Sequence, residues 1–237
     1  MKNVFVQTEN WRKFTDALTE AEDARGSDPV LVAAFGQAGR GKTSAARKWA
    51  ADRGWAYVRA MSGWSESWML QDICREIGVD PVPFRKKHCF EAICSRVERT
   101  NQAVLIDEAD KLNEKLLEWV RDLADVTSNA WGLVGEKELI AKIRNQRLRR
   151  IWSRVLRVME FGPITVKDVL FFAKEASGIM LSAEQGMKLQ AASEGDFRLV
   201  ARDVRRLERL MAANNLTGRV TDDFVDEAIR QGLRAQK

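Results

Sequence analysis

The chain has 237 residues, 39 basic against 34 acidic side chains, and a formal charge of +5. An apolar share of 45% beside 31% charged residues supports a packed core and excludes general disorder. No apolar run reaches the roughly 18–20 residues that cross a bilayer, which argues against a membrane partner. Residues 1–11 lack the apolar stretch of a secretory signal. Three cysteines (Cys74, Cys89, Cys94) suit a reducing cytoplasm better than a disulfide framework.

In chain order, Trp11, Phe14, Leu18 and Ala21 recur at helical spacing and predict an opening amphipathic helix. Asp28-Pro29 breaks it, and Val30 to Phe35 reads as a buried strand. A glycine-rich turn leads to a helix from Thr43 to Arg53, stopped by Gly54, and Trp55 to Arg59 is a second strand. Helices are predicted over Ser65 to Ile77, with Gly78 as C-cap, and over Phe84 to Arg99. The alternation continues with a strand at Ala103 to Ile106, a helix from Asn113 to Thr127 and a strand at Trp131 to Val134. A helix from Leu139 to Leu148 and a strand from Val155 to Phe161 follow. Strands alternating with helices imply an α/β fold, a parallel sheet covered on both faces. After Gly162-Pro163 only helices are expected: Thr165 to Ala176, Ser182 to Ala192, Phe197 to Ala213 and Thr221 to Ile229. The division follows: an α/β domain over 1–162, including the N-terminal helix, and a small all-helical domain over 163–237.

Gly36-Gln37-Ala38-Gly39-Arg40-Gly41-Lys42-Thr43 fits G-x-x-x-x-G-K-[ST] at every fixed position, between a strand and a helix. Gly36, Gly39 and Gly41 let the backbone curl so that N–H groups face phosphate oxygens, and the helix dipole adds to that field. Arg40 and Ser44 flank the cradle, Lys42 can reach the β- and γ-phosphates, and the Thr43 hydroxyl can ligate Mg²⁺. Against an ordinary glycine turn, the full pattern in register argues for ATP as cofactor. About 65 residues on, Val104-Leu105-Ile106-Asp107-Glu108 ends a buried strand in two carboxylates. Asp107 is the candidate to hold Mg²⁺ through water, and Glu108 the candidate to polarise the attacking water. Hydrolysis of ATP to ADP and phosphate is therefore expected. Asp107-Glu108-Ala109-Asp110 also spells the DEAD box, but RNA helicases need two tandem nucleotide folds and this length has room for one.

These motifs, with a helical C-terminal domain, resemble an AAA+ ATPase, and within that superfamily the ATPases of DNA transposition, the family of the phage Mu target-DNA-binding B protein. The resemblance also rests on Tyr57-Val58-Arg59-Ala60, Trp68-Met69-Leu70, Ala109-Asp110-Lys111-Leu112, Leu133-Val134-Gly135-Glu136-Lys137-Glu138-Leu139 and Gly195-Asp196-Phe197-Arg198. It spans roughly residues 5–232 and implies several further roles. An arginine finger precedes the last strand, with Arg154 the first choice and Arg150 the second. Arg198 matches the sensor-2 arginine of the helical lid. The sensor-1 position is usually Asn, Thr or Ser; here the candidate is Glu136, a departure that implies slow or regulated hydrolysis. The family's N-terminal helix-turn-helix has no counterpart ahead of the phosphate loop. The resemblance further implies a bacterial host cytoplasm, a homo-oligomeric ring or filament on double-stranded DNA, and a cognate transposase that reads the assembled state.

Lys137 to Val158 holds eight basic residues and one acid, Glu138, read as a subunit interface ahead of DNA. The DNA candidates are Arg59, Lys86 and Lys87, the last two in Arg85-Lys86-Lys87-His88, near the Ser62-Gly63-Trp64 loop. Trp64 either stacks on a base or packs in the core. His88, Cys89 and Cys94 lack a fourth zinc ligand and read as helix-face residues. Two other readings share the nucleotide core: a secretion or signalling AAA+ ATPase, and a helicase loader or origin-binding ATPase. A third is a nucleotide-dependent module with negligible turnover.

Overall fold

The computed structural model describes residues 1–2, 4–26 and 30–234, the last two by backbone alone. The break expected at Asp28-Pro29 lies outside them. Five strands form one sheet: β1 (Val30–Gly36), β2 (Ala56–Arg59), β3 (Val104–Asp107), β4 (Ala130–Gly135) and β5 (Val155–Phe161). Their order is β2-β3-β4-β1-β5, with every pair parallel. The apolar runs explain the centre: β3 and β4 are buried along their whole length, and β1 at all but one residue. In such a sheet ligands bind beyond the carboxyl ends of the strands, where Gly36, Asp107 and Gly135 stand.

The helices are α1 (Glu9–Asp23), α2 (Lys42–Arg53), α3 (Glu66–Glu76), α4 (Lys86–Thr100), α5 (Glu114–Thr127), α6 (Lys137–Ile143) and α7 (Arg149–Trp152). They continue with α8 (Val166–Ser177), α9 (Ala183–Ala192), α10 (Phe197–Ala213) and α11 (Asp222–Arg234). Local chemistry sets several starts. Ser65 and Asn113 accept backbone N–H groups one turn on, while Thr165 with Asp168 and Ser182 with Gln185 close capping boxes.

Three expectations need correction. The helix read from Leu139 to Leu148 is broken: α6 ends at Ile143, a 3₁₀ turn covers Gln146–Leu148, and α7 follows. Asn145 is the cause, because its side chain accepts the Arg147 N–H at 3.1 Å and starts a new turn. The helix expected from Phe84 begins at Lys86, after an extended Arg85. The C-cap of α3 is Ile77, with Gly78 just beyond it in the left-handed region at φ +76°.

The chain divides into two compact units, one of residues 13–37 and 42–161, the other of residues 1–12, 38–41 and 162 onward. The sheet unit has a core in which Leu31, Val58, Ile106 and Trp131 from the strands meet Ile73, Ile93 and Val120 from α3, α4 and α5. In the helical unit, Val169, Phe172, Leu189, Val204, Leu207 and Val225 pack from α8 to α11. At about 1.5–3 kcal/mol for each large apolar side chain, each core is substantial.

Candidate nucleotide site

In the sheet unit, the phosphate-loop motif leaves β1 at Gly36. A Cβ at Gly36 would lie 2.5 Å from the Phe161 carbonyl oxygen, so a side chain there would push β1 from β5. Lys42 Nζ donates to the carbonyls of Gly36 at 2.6 Å and Gln37 at 2.8 Å, which draws its ammonium to the mouth of the loop. Thr43 and Ser44 stand in the first turn of α2, half-buried and exposed respectively.

Asp107 ends β3 and is 1% exposed. Its Oδ2 accepts the Tyr57 hydroxyl at 2.7 Å and its Oδ1 accepts the Glu108 N–H at 2.9 Å. Arg47 of α2 donates to the same hydroxyl at 3.3 Å, with its guanidinium 5.4 Å from the ring centre. Burial first, and the bond to Asp107 second, push the Tyr57 phenol up to about 12. Each Asp107 oxygen accepts one of these bonds and retains acceptor capacity, which suits a carboxylate holding Mg²⁺ through water.

Glu108 stands at φ +54°, an unusual conformation for a residue with a Cβ. That turn brings its carboxylate to Lys111 and Arg59, the latter through Nε at 3.0 Å. Lys111 chiefly, and Arg59 after it, hold the Glu108 carboxyl below its ordinary range against the opposing effect of burial. Glu108 in turn raises the Arg59 guanidinium. Sheet register explains the meeting, since Arg59 pairs with Asp107 across β2 and β3. The turn after β3 closes over β4, where a Cβ at Gly135 would come within 2.7 Å of Asp110 Oδ1. That same oxygen accepts the Glu136 N–H at 2.9 Å, while the Glu136 side chain is exposed.

The arginine candidates are distributed differently. Arg154 pairs with Asp125 of α5 through Nε–Oδ1 at 3.0 Å and Nη2–Oδ2 at 3.4 Å. Arg144 lies over the Trp152 ring at 5.0 Å, and Arg157 pairs with Glu20 at 3.1 Å. Arg147, Arg149 and Arg150 are exposed and have no ion pair among the described residues.

Each DNA candidate meets an acid: Arg59 meets Glu108, Lys86 meets Glu66, and Lys87 lies 3.7 Å from Glu91. Trp64 is a core residue at 6% exposure, so packing wins over base stacking there. Trp68, four residues on, and Phe84, just ahead of Arg85, are exposed instead. Cys74, Cys89 and Cys94 are buried, and burial raises all three thiols.

In the helical unit, the loop tip Ala38–Gly41 lies against the α9–α10 turn. The Phe197 N–H donates to the Gly39 carbonyl at 2.9 Å, and Arg40 donates to the Glu194 carbonyl at 2.7 Å. Gly39 (φ +78°) has the Asp196 carboxylate where a Cβ would be, so this approach requires glycine. Arg198 opens α10 at 68% side-chain exposure, its Nε 3.8 Å from Asp196.

Sequence reasoning missed Tyr57, Arg47, Lys111 and Asp125. Lys111 carried a signal, three residues after Glu108, whereas Tyr57 and Asp125 meet their partners only through tertiary structure.

A family model described as AAA domain matches residues 25–143. The chain is 27% identical to the Mu-like prophage FluMu DNA transposition protein B of Haemophilus influenzae, over 83% of this chain and 70% of that one. It is also 27% identical to the ATP-dependent target DNA activator B of Escherichia phage Mu, over 85% of this chain and 66% of that protein. Among solved structures, the Aeropyrum pernix ORC2 protein in its ADPNP–ADP complexes aligns with a TM-score of 0.63 at 16% identity. That alignment covers 94% of this chain and 65% of the other, a likeness of fold. The chain thus spans about two thirds of the length of the proteins it matches. No helix among the described residues is long and apolar enough to cross a membrane. The match over half of its length, on a parallel sheet of order β2-β3-β4-β1-β5 with a phosphate loop after β1, makes the chain a member of the AAA domain family.

Proposed function

We propose that this chain is an ATP-dependent, largely sequence-non-specific DNA-binding ATPase that assembles on target DNA and regulates a transposase. The observation that carries the reading is the likeness to the transposition B proteins over more than four fifths of the chain, together with both nucleotide motifs. Gly36, Gly39, Arg40, Gly41, Lys42, Thr43 and Ser44 would hold the phosphates, with Thr43 and Asp107 on Mg²⁺. When bound, Mg²⁺ supplies charge neutralisation at the β- and γ-phosphate oxygens.

Tyr57 and the Glu108 N–H fix the Asp107 carboxylate. Glu108 is kept ionised by Lys111 and Arg59, so it can accept a proton from an attacking water only after at least one of these cations lets go. That restraint supports slow, regulated turnover. Arg154, or Arg150 in its place, would reach the phosphates of a neighbouring subunit, and Arg198 would report on the nucleotide from the lid. In this reading residues 1–162 form the nucleotide domain and residues 163–237 the lid.

The test is electron microscopy of the protein with ATP, with and without plain duplex DNA, beside Lys42→Ala. ATP-dependent rings or filaments on DNA, lost in the variant, are expected. Equal assembly of Lys42→Ala would sink the mechanism. Stimulation by a transposase, against loading of a helicase, separates this reading from the origin-binding alternative.

A further inference from the structure

Helix α10 carries a charge pattern of which the nucleotide reading uses only the first member, Arg198. Arg198, Arg202, Arg205 and Arg209 recur at spacings of four, three and four residues. At 3.6 residues per turn they lie within about 60° of one another and form a stripe about 16 Å long. The opposite face is core, with Val200, Val204, Leu207 and Met211 buried. The two acids of the helix lie off the stripe, and each is already neutralised. Asp203 is buried between Arg202 at 3.0 Å and Arg206 at 2.9 Å, and Glu208 accepts the N-terminal ammonium at 2.6 Å. Arg205 and Arg209 are exposed, with no ion pair among the described residues.

Within the row Arg198 lies 3.8 Å from Asp196 and Arg202 pairs with Asp203 at 3.0 Å. That leaves Arg205 and Arg209, four residues apart on one face, as like charges without a compensating acid among the described residues. What complements such a face is an extended anion that carries charge along its length. Duplex DNA does so, with one negative charge per about 1.7 Å of axis. An acidic protein surface is the other macromolecule that could face the stripe. By helical phase the apolar residues on the stripe's own side are only Ala201, Ala212 and Ala213. A charged face without large apolar groups favours a phosphate backbone over a folded protein face.

We infer that the arginine face of α10 is a DNA-backbone contact surface, centred on Arg205 and Arg209. The inference rests on the DNA-binding reading above and adds a surface to its candidates Arg59, Lys86 and Lys87. Each of those meets an acid, whereas Arg205 and Arg209 have none among the described residues. Contacts of this kind carry no base information, in keeping with non-specific binding.

The experiment measures affinity for a labelled random-sequence duplex with ATP across a salt series. Wild type is compared with Arg205→Ala/Arg209→Ala and Arg205→Lys/Arg209→Lys. DNA-free phosphate release and the melting temperature, both expected unchanged, exclude misfolding. The alanine pair is expected to bind about tenfold or more weakly at low salt, with a log–log salt slope shallower by about 2. The lysine pair is expected to keep the wild-type slope, since it keeps the charge. An alanine pair with wild-type slope and affinity overturns the inference while leaving DNA binding intact. A wild type that does not bind duplex with ATP overturns both. Loss of transposase stimulation alone, at full DNA affinity, would assign the stripe to an acidic protein instead.

Discussion

The carboxyl end of β3 and the arginine stretch from residue 144 to 157 are both dense in charge, yet they are built in opposite ways. At the strand end every charge has an assigned partner: Asp107 has Tyr57 and a backbone N–H, and Glu108 has Lys111 and Arg59. In the arginine stretch, Arg154 and Arg157 are paired and Arg144 lies over Trp152, while Arg147, Arg149 and Arg150 are exposed with no ion pair among the described residues. The first arrangement is complete within one subunit and suits a site whose geometry must be preset. The second leaves positive charge to be met from outside, as an interface with another subunit would do.

The sharpest way to break this contrast is to ask whether Arg154 or Arg150 acts in trans, as the proposed function requires. Arg154→Ala is expected to lower ATP hydrolysis of the assembled protein by on the order of 10³-fold, with nucleotide binding retained. Arg150→Ala is expected to change it only a few-fold. The reverse result, in a steady-state phosphate-release assay, would assign the role to Arg150 and leave Arg154 as the structural partner of Asp125. On the strand side, Glu108→Gln is expected to cost about 10²–10⁴-fold in turnover with ATP affinity unchanged. A smaller effect would mean that the pair with Lys111 and Arg59 is structural.

The third test concerns how firmly Asp107 is set. Tyr57→Phe removes one hydroxyl and leaves the ring in place. Removing the hydrogen-bond partner of a direct metal ligand typically costs about 10–100-fold in metal affinity. Since Asp107 would hold Mg²⁺ through water, the lower end of that range, about tenfold, applies here. The Mg²⁺-dependent part of nucleotide affinity, read with a fluorescent ATP analogue with and without chelator, is expected to fall by that factor. The Mg²⁺-free affinity is expected to stay put. If both fall together, Tyr57 supports the fold and not the metal position.

Much of the sheet was legible because its strands are apolar runs punctuated by glycine, proline and helical repeats. The phosphate loop was legible because the chemistry fixes residue type and spacing within eight consecutive positions. Helix breaks governed by one side chain, such as Asn145, were not, since an apolar repeat can run through them. Nor were partners brought together by strand order. The meeting of Arg59 with Glu108 was not legible, because nothing in a single sequence says that β2 lies beside β3. Trp64 and Trp68 are four residues apart and equally apolar. Only the packing of α3 shows that the first is core and the second faces out.

The smallest effect is also the most local, and the composition makes it readable. Tyr57 is the chain's single tyrosine, so phenolate absorbance near 295 nm reports on it alone. Its folded value of about 12 lies above the ordinary 10.0. Between those limits the unfolded chain releases a proton that the folded chain retains. This contribution to stability is therefore fully present below pH 10 and declines as pH rises toward 12. In the folded protein the phenolate signal is expected to be absent at pH 10 and to rise only near 12. Asp107→Asn removes the charge and the carboxylate acceptor but not the burial, which is the larger cause. The midpoint should then fall part of the way and remain above 10. A return to 10 would mean that the charge of Asp107, and not the half-buried position between Arg47 of α2 and the end of β3, sets the state of the tyrosine.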